Sequence, residues 1–123
     1  MKKKITLPTL LFALLFVPFY LQAGAPGAGK ETKQLFRVKT ENVCMTNNKD
    51  MGKKQIPVKV GEKTYYGCCP MCAKNLEANE SARLAVDPVS GKRVDKADAF
   101  LGATKNGDIL YFESEKSFQA YEK

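Results

Sequence analysis

Tyr65-Tyr66-Gly67-Cys68-Cys69-Pro70-Met71-Cys72 carries three of the chain's four cysteines and stands where a strand pattern gives way to a helix pattern. Upstream, Gln55-Ile56-Pro57-Val58-Lys59-Val60 alternates apolar and polar residues. Gly61-Glu62-Lys63 then turns the chain into Thr64-Tyr65-Tyr66, so the two runs predict a β-hairpin. Downstream, Met71 to Leu84 is rich in Ala, Lys, Glu, Leu and Asn, with Cys72 and Leu76 four apart. That spacing predicts a helix of two to three turns. Cysteines at a helix start meet free backbone N–H groups and the positive end of the helix dipole, which favour thiolate over thiol.

There is no histidine in the chain. Histidine-bearing zinc hydrolase sites, Cys-His and Ser-His-Asp nucleophiles and imidazole proton relays are therefore excluded. Pairs such as Asp95 with Asp98, or Glu113 with Glu115, lack a neighbour that would split their pKa values, so a glycosidase-like acid–base pair is unsupported. The chemistry runs through sulfur, and a non-enzymatic role is expected.

Met1-Lys2-Lys3-Lys4 followed by the apolar run Ile5 to Leu21 and small residues from Ala23 has the layout of a secretory signal peptide over 1–23. Two prolines in that run make it marginal for crossing a hydrocarbon core of about 30 Å. Cleavage after Ala23 would remove Lys2, Lys3 and Lys4 and take the formal charge from +7 to +4. That is mildly basic, and no nucleic-acid partner is expected. The location expected is periplasmic or secreted, with membrane contact only through an uncleaved signal segment. Gly24-Ala25-Pro26-Gly27-Ala28-Gly29-Lys30-Glu31-Thr32 is similar to a phosphate-binding loop, but no buried strand precedes it and Glu31 would place a carboxylate against the phosphates. Residues 24–37 read instead as a flexible spacer. Gln34 to Thr40 partly alternates and is expected as an edge strand.

The chain also repeats itself. Residues 65–76 align with 110–121 at an offset of 45, which sets Tyr66 on Tyr111, Cys68 on Glu113, Cys72 on Ser117 and Leu76 on Tyr121. Asn106-Gly107 is a hairpin-turn signal ahead of the second segment. Further upstream, Asn42 to Thr46 aligns with Pro88 to Lys92, which sets Cys44 opposite Ser90. Two hairpin–helix units are expected, the second without thiols, each with a small core filled by Tyr65, Tyr66, Tyr111, Phe112, Phe118 and Tyr121.

Asp87-Pro88-Val89-Ser90-Gly91-Lys92-Arg93-Val94-Asp95 followed by Asp108 to Glu115 resembles a YHS domain in which cysteines are replaced at Ser90, Glu113 and Ser117. Residues 38–84 resemble the related TRASH module: lone Cys44, then Cys68, three residues, and Cys72. The resemblance implies an α+β chain of small treble-clef-like units, a cysteine-bearing unit over 38–84 and a degenerate one over 85–123. It also implies heavy-metal binding, sensing or trafficking, with a metal-transport or metal-resistance protein as partner.

Thiolate and thioether donors select Cu(I), Zn(II) and similar thiophilic ions. Cys44, Cys68 and Cys72 would make a three-sulfur site; Cys69 would complete the four-sulfur set that zinc prefers. Neighbouring Cys68 and Cys69 are awkward on one ion, so the place of one of them is open. Met45 and Met71 adjoin ligand candidates and tilt the reading toward Cu(I). Two other readings stand beside this one: a disulfide-stabilised extracytoplasmic binding module without metal, and a thiol–disulfide oxidoreductase using Cys69 and Cys72.

Overall fold

The computed structural model describes residues 33–123; the signal-peptide reading, the phosphate-loop-like stretch and most of the spacer lie outside the described residues. Eight short strands pair as four antiparallel ladders, and two helices follow two of them. The class is α+β, small, and built on β-hairpins.

The first ladder joins β1 (Val43–Cys44) to β2 (Lys49–Asp50). Next, β3 (Ile56–Val60) and β4 (Lys63–Gly67) form the expected hairpin, with Val58 facing Tyr65 and a two-residue turn at Gly61-Glu62. Gly61 has φ +63°, a left-handed conformation that glycine adopts without steric cost. Helix α1 (Pro70–Ala78) follows at once. Then β5 (Leu84–Val86) pairs with β6 (Arg93–Asp95), and β7 (Phe100–Ala103) with β8 (Ile109–Phe112), before helix α2 (Glu115–Tyr121).

Helix α1, nine residues long, has the expected two to three turns and stops at Ala78, before the helix-like composition ends at Leu84. Asn75 and Asn79 are weak helix formers, and the Arg83 guanidinium reaches back to donate to the carbonyls of Leu76 (2.7 Å) and Glu77 (3.1 Å). Those carbonyls would otherwise end the helix unpaired. Glu80–Arg83 forms a 3₁₀ turn and Leu84 opens β5.

Two expectations change. Gln34 to Thr40 is not a strand: Phe36 alone bridges, exchanging two 2.8 Å hydrogen bonds with Ala103. Leu35 beside it is buried with Phe112 and Phe118, so residues 35 and 36, at the end of the expected spacer, are docked on β7 and α2. Nor does each unit keep a core of its own. Val43, Met45, Val58, Tyr65 and Leu76 from the first half pack in one cluster with Val94, Leu101, Ala103, Ile109 and Tyr111 from the second. A second, smaller cluster of Leu35, Phe112 and Phe118, with Phe100, Leu110 and Tyr121 against it, keeps Phe112, Phe118 and Tyr121 together as expected.

Polar ties also join the halves. Tyr65 Oη donates to the Asp95 carboxylate at 2.9 Å, Lys63 Nζ donates to the same group at 2.8 Å, and Asp50 N–H donates to the Gly107 carbonyl at 2.9 Å. Hairpin β3–β4 is thereby fastened to β6.

Candidate metal centre

Cys44 ends β1 in the protein interior, fully buried. The next residue's N–H, that of Met45, donates to the Tyr66 carbonyl at 2.8 Å and holds the end of β1 against β4. Hairpin β3–β4 then delivers Cys68 beside Cys44, because Gly67 lets α1 start directly against the strand. A Cβ on Gly67 would lie 2.9 Å from the Ala73 nitrogen and 3.1 Å from Cys72 Cβ.

Cys69 is the N-cap of α1: its sulfur accepts from the Cys72 N–H at 3.4 Å, and Pro70 occupies the first helical turn, where a missing N–H costs nothing. Capping turns Cys72 toward Cys68, with 3.6 Å between their sulfurs. The Sγ atoms of Cys44, Cys68 and Cys72 all lie within 4.8 Å of one another. A tetrahedral ion with metal–sulfur bonds of about 2.3 Å sets its sulfurs about 3.8 Å apart, so small side-chain movements would close this group on an ion.

Cys68 joins Cys44 and Cys72, whereas Cys69 lies outside that group and caps the helix. Of the two methionines, Met45 is buried in the core and Met71 is 79% exposed at the start of α1. All four cysteines are free thiols.

Charge is unevenly shared among the sulfurs. Burial opposes ionisation of Cys44, but the backbone N–H groups of Asn47, Cys68 and Thr46, with the Cys68 thiol, hold it below its ordinary value. Hydrogen bonds to the sulfurs of Cys44 and Cys72 push the Cys68 thiol up to about 12. Burial, then the Cys69 sulfur, raises Cys72. Of the three, Cys44 is the thiol whose surroundings most favour ionisation, and a soft cation binding there would displace the remaining protons. Asn47 Nδ2 donates to Cys68 Sγ at 3.5 Å, and Thr46 Oγ1 to the Cys72 carbonyl at 3.2 Å.

The second half contributes to the same site. Lys96, just after β6, is 6% exposed; its Nζ donates to the Met45 carbonyl at 2.7 Å and to Asn48 Oδ1 at 2.9 Å. Burial lowers its pKa and the Cys44 charge opposes that fall. Tyr111, with Lys96 Nζ 5.3 Å from its ring centre, is raised by burial and by the same sulfur. Sequence reasoning missed both, since a lone lysine and a core tyrosine carry no motif.

Asp87 was also missed. Fully buried after β5, it accepts from the N–H groups of Val89 (2.7 Å), Ser90 (3.1 Å) and Glu113 (2.8 Å) and from Ser117 Oγ (2.6 Å). Burial opposes its ionisation, but the Ser117 hydroxyl and the three N–H groups lower its pKa to about 2. Cys44 is faced by the equivalent donors: Thr46 and Asn47, two and three residues on, and Cys68 at the next strand end. The expected match of Cys44 with Ser90 is corrected accordingly; Asp87 takes that place, and Ser90 is exposed. One signal could have revealed this. Asn48 (φ +53°) and Gly91 (φ +71°) each lie four residues after the anion and share the left-handed turn.

Across known proteins, no family model, curated protein or solved structure matches this chain.

Proposed function

We propose that this is an exported protein that binds a thiophilic metal ion through Cys44, Cys68 and Cys72, acting as carrier, sequestering factor or sensor. One observation carries the reading: three sulfurs, one of them distant in sequence, lie within 4.8 Å of one another in a protein without histidine. Three thiolate donors suit Cu(I), Zn(II) or a similarly soft ion.

The resemblance to TRASH and YHS modules supports the same reading, as do the two hairpin–helix segments capped alike. Cys69 accepts from Cys72 N–H, and Ser114 accepts from Ser117 N–H at 3.2 Å. On this reading the second segment is a copy whose anion became a carboxylate and which therefore holds no metal. Export is read from residues 1–23 alone, and a metal-transport or metal-resistance protein is the partner class it implies.

Elemental analysis and anaerobic thiol titration of protein recovered from its own compartment test the proposal. Thiols that react only after chelation, with metal released in step, support it. Thiols absent until reduction favour the disulfide module, and a reversible two-electron couple confined to Cys69 and Cys72 favours the oxidoreductase.

A further inference from the structure

We infer that Lys96 is the buried counter-ion of the three-sulfur centre, and that it tunes the balance between monovalent and divalent ions there. The inference rests on the reading of Cys44, Cys68 and Cys72 as ligands.

A buried ammonium needs an anion or it stays costly. Lys96 forms no ion pair with a carboxylate among the described residues; its hydrogen-bond partners are the neutral Met45 carbonyl and Asn48 amide. The Met45 carbonyl belongs to the residue that follows Cys44. The Tyr111 ring centre lies 5.3 Å from Lys96 Nζ, and the Tyr111 hydroxyl is buried with no hydrogen-bond partner among the described residues. The hydrogen bond to the Met45 carbonyl sets the ammonium one residue along the chain from Cys44, a sulfur that carries charge once an ion displaces the cluster's protons.

Charge counting then discriminates between ions. Three thiolates with a divalent ion leave one negative charge, which Lys96 neutralises. Three thiolates with Cu(I) leave two, so one remains uncompensated. The two complexes differ by one unit of charge, whatever the protonation of the metal-free cluster. At an effective dielectric constant of about 20, one unit of charge interaction with a nearby buried ammonium corresponds to roughly tenfold in affinity. Lys96 therefore supports the Cu(I) complex more strongly than the divalent one, and without it Cu(I) is held relatively less well.

The test compares Cu(I) and Zn(II) affinities, by competition with chromophoric chelators, in the wild type and in Lys96→Gln, which keeps a donor for the Met45 carbonyl but no charge. The expected result is a Cu(I)-to-Zn(II) affinity ratio about tenfold lower in Lys96→Gln and restored in Lys96→Arg. Should the glutamine variant not fold, Lys96→Met, which can fill the space over the Tyr111 ring, repeats the measurement. An unchanged ratio in a folded, metal-binding neutral variant overturns the inference and leaves the metal reading intact, since a merely structural lysine would weaken both ions alike. A wild type that binds neither ion overturns both.

Discussion

Cys44 and Asp87 sit in matching nests of backbone donors: Cys44 ends a short strand and Asp87 directly follows one, and each faces N–H groups two and three residues on and another just past the strand before a helix. In one nest the acceptor is a sulfur joined by two more thiols. In the other it is a carboxylate whose remaining partner is the Ser117 hydroxyl at 2.6 Å. Donors so placed explain why a thiol with no exposure is nonetheless held below its ordinary pKa: the backbone there is arranged for negative charge.

That arrangement makes Asp87 a pH sensor of stability. Its folded pKa, about 2, lies below the unfolded value of about 3.9. A depressed carboxylate contributes stability that is complete above the unfolded value and is lost as pH falls toward the folded one, here about 2 kcal/mol between about pH 5 and pH 2. Urea unfolding across that range is expected to show this loss, and Asp87→Asn, already weakened at neutral pH by a buried amide among four donors, is expected to show a flatter acid limb. An identical slope in both proteins would remove Asp87 from the account.

Cysteine substitutions should divide sharply. If a soft-metal site worth about 10 kcal/mol is shared among three sulfurs, losing one costs about 3 kcal/mol, more than a hundredfold in affinity. Cys44→Ser, Cys68→Ser and Cys72→Ser are expected to lose that much in chelator competition. Cys69→Ser is expected to stay within about threefold, because a serine cap serves equally well, as Ser114 does on α2. Equal losses at Cys69 and Cys68 would mean that the cap is a ligand.

Gly67 is the hinge on which the sulfurs meet. Gly67→Ala would drive a methyl group against the Ala73 nitrogen and Cys72 Cβ, both near 3 Å. Because the obstacle at Ala73 is backbone, α1 must shift away from β4, at a cost of about 1–3 kcal/mol. Metal affinity is expected to fall with stability, although no sulfur has been changed. Full affinity in this variant would show that the helix start does not set the sulfur spacing.

Much of this was legible in the sequence, and the failures have physical causes. Alternation in Gln55 to Val60, the glycine turn and the Gly67-to-Cys72 junction announced hairpin and helix, and the cysteine spacing announced three of the converging sulfurs. Cys69 could not be assigned from spacing alone, because a cap and a ligand ask for the same polarisable atom at a helix start. The end of helix α1 was hidden because Arg83, a strong helix former, closes the helix by binding its carbonyls. The shared core was missed because Val43 and Tyr111 look alike whether they serve one interior or two. Lys96 was hidden for a different reason: a lysine in sequence reads as surface, and only the fold buries it.

The most direct measurement is metal stoichiometry and sulfur coordination by X-ray absorption on the wild type, loaded anaerobically with one equivalent of Zn(II) or Cu(I), beside Cys44→Ser. The account predicts one bound ion with three sulfur neighbours at about 2.3 Å in the wild type and two in Cys44→Ser. Coordination unchanged by Cys44→Ser, or an ion held by Cys69 without Cys44, would contradict it.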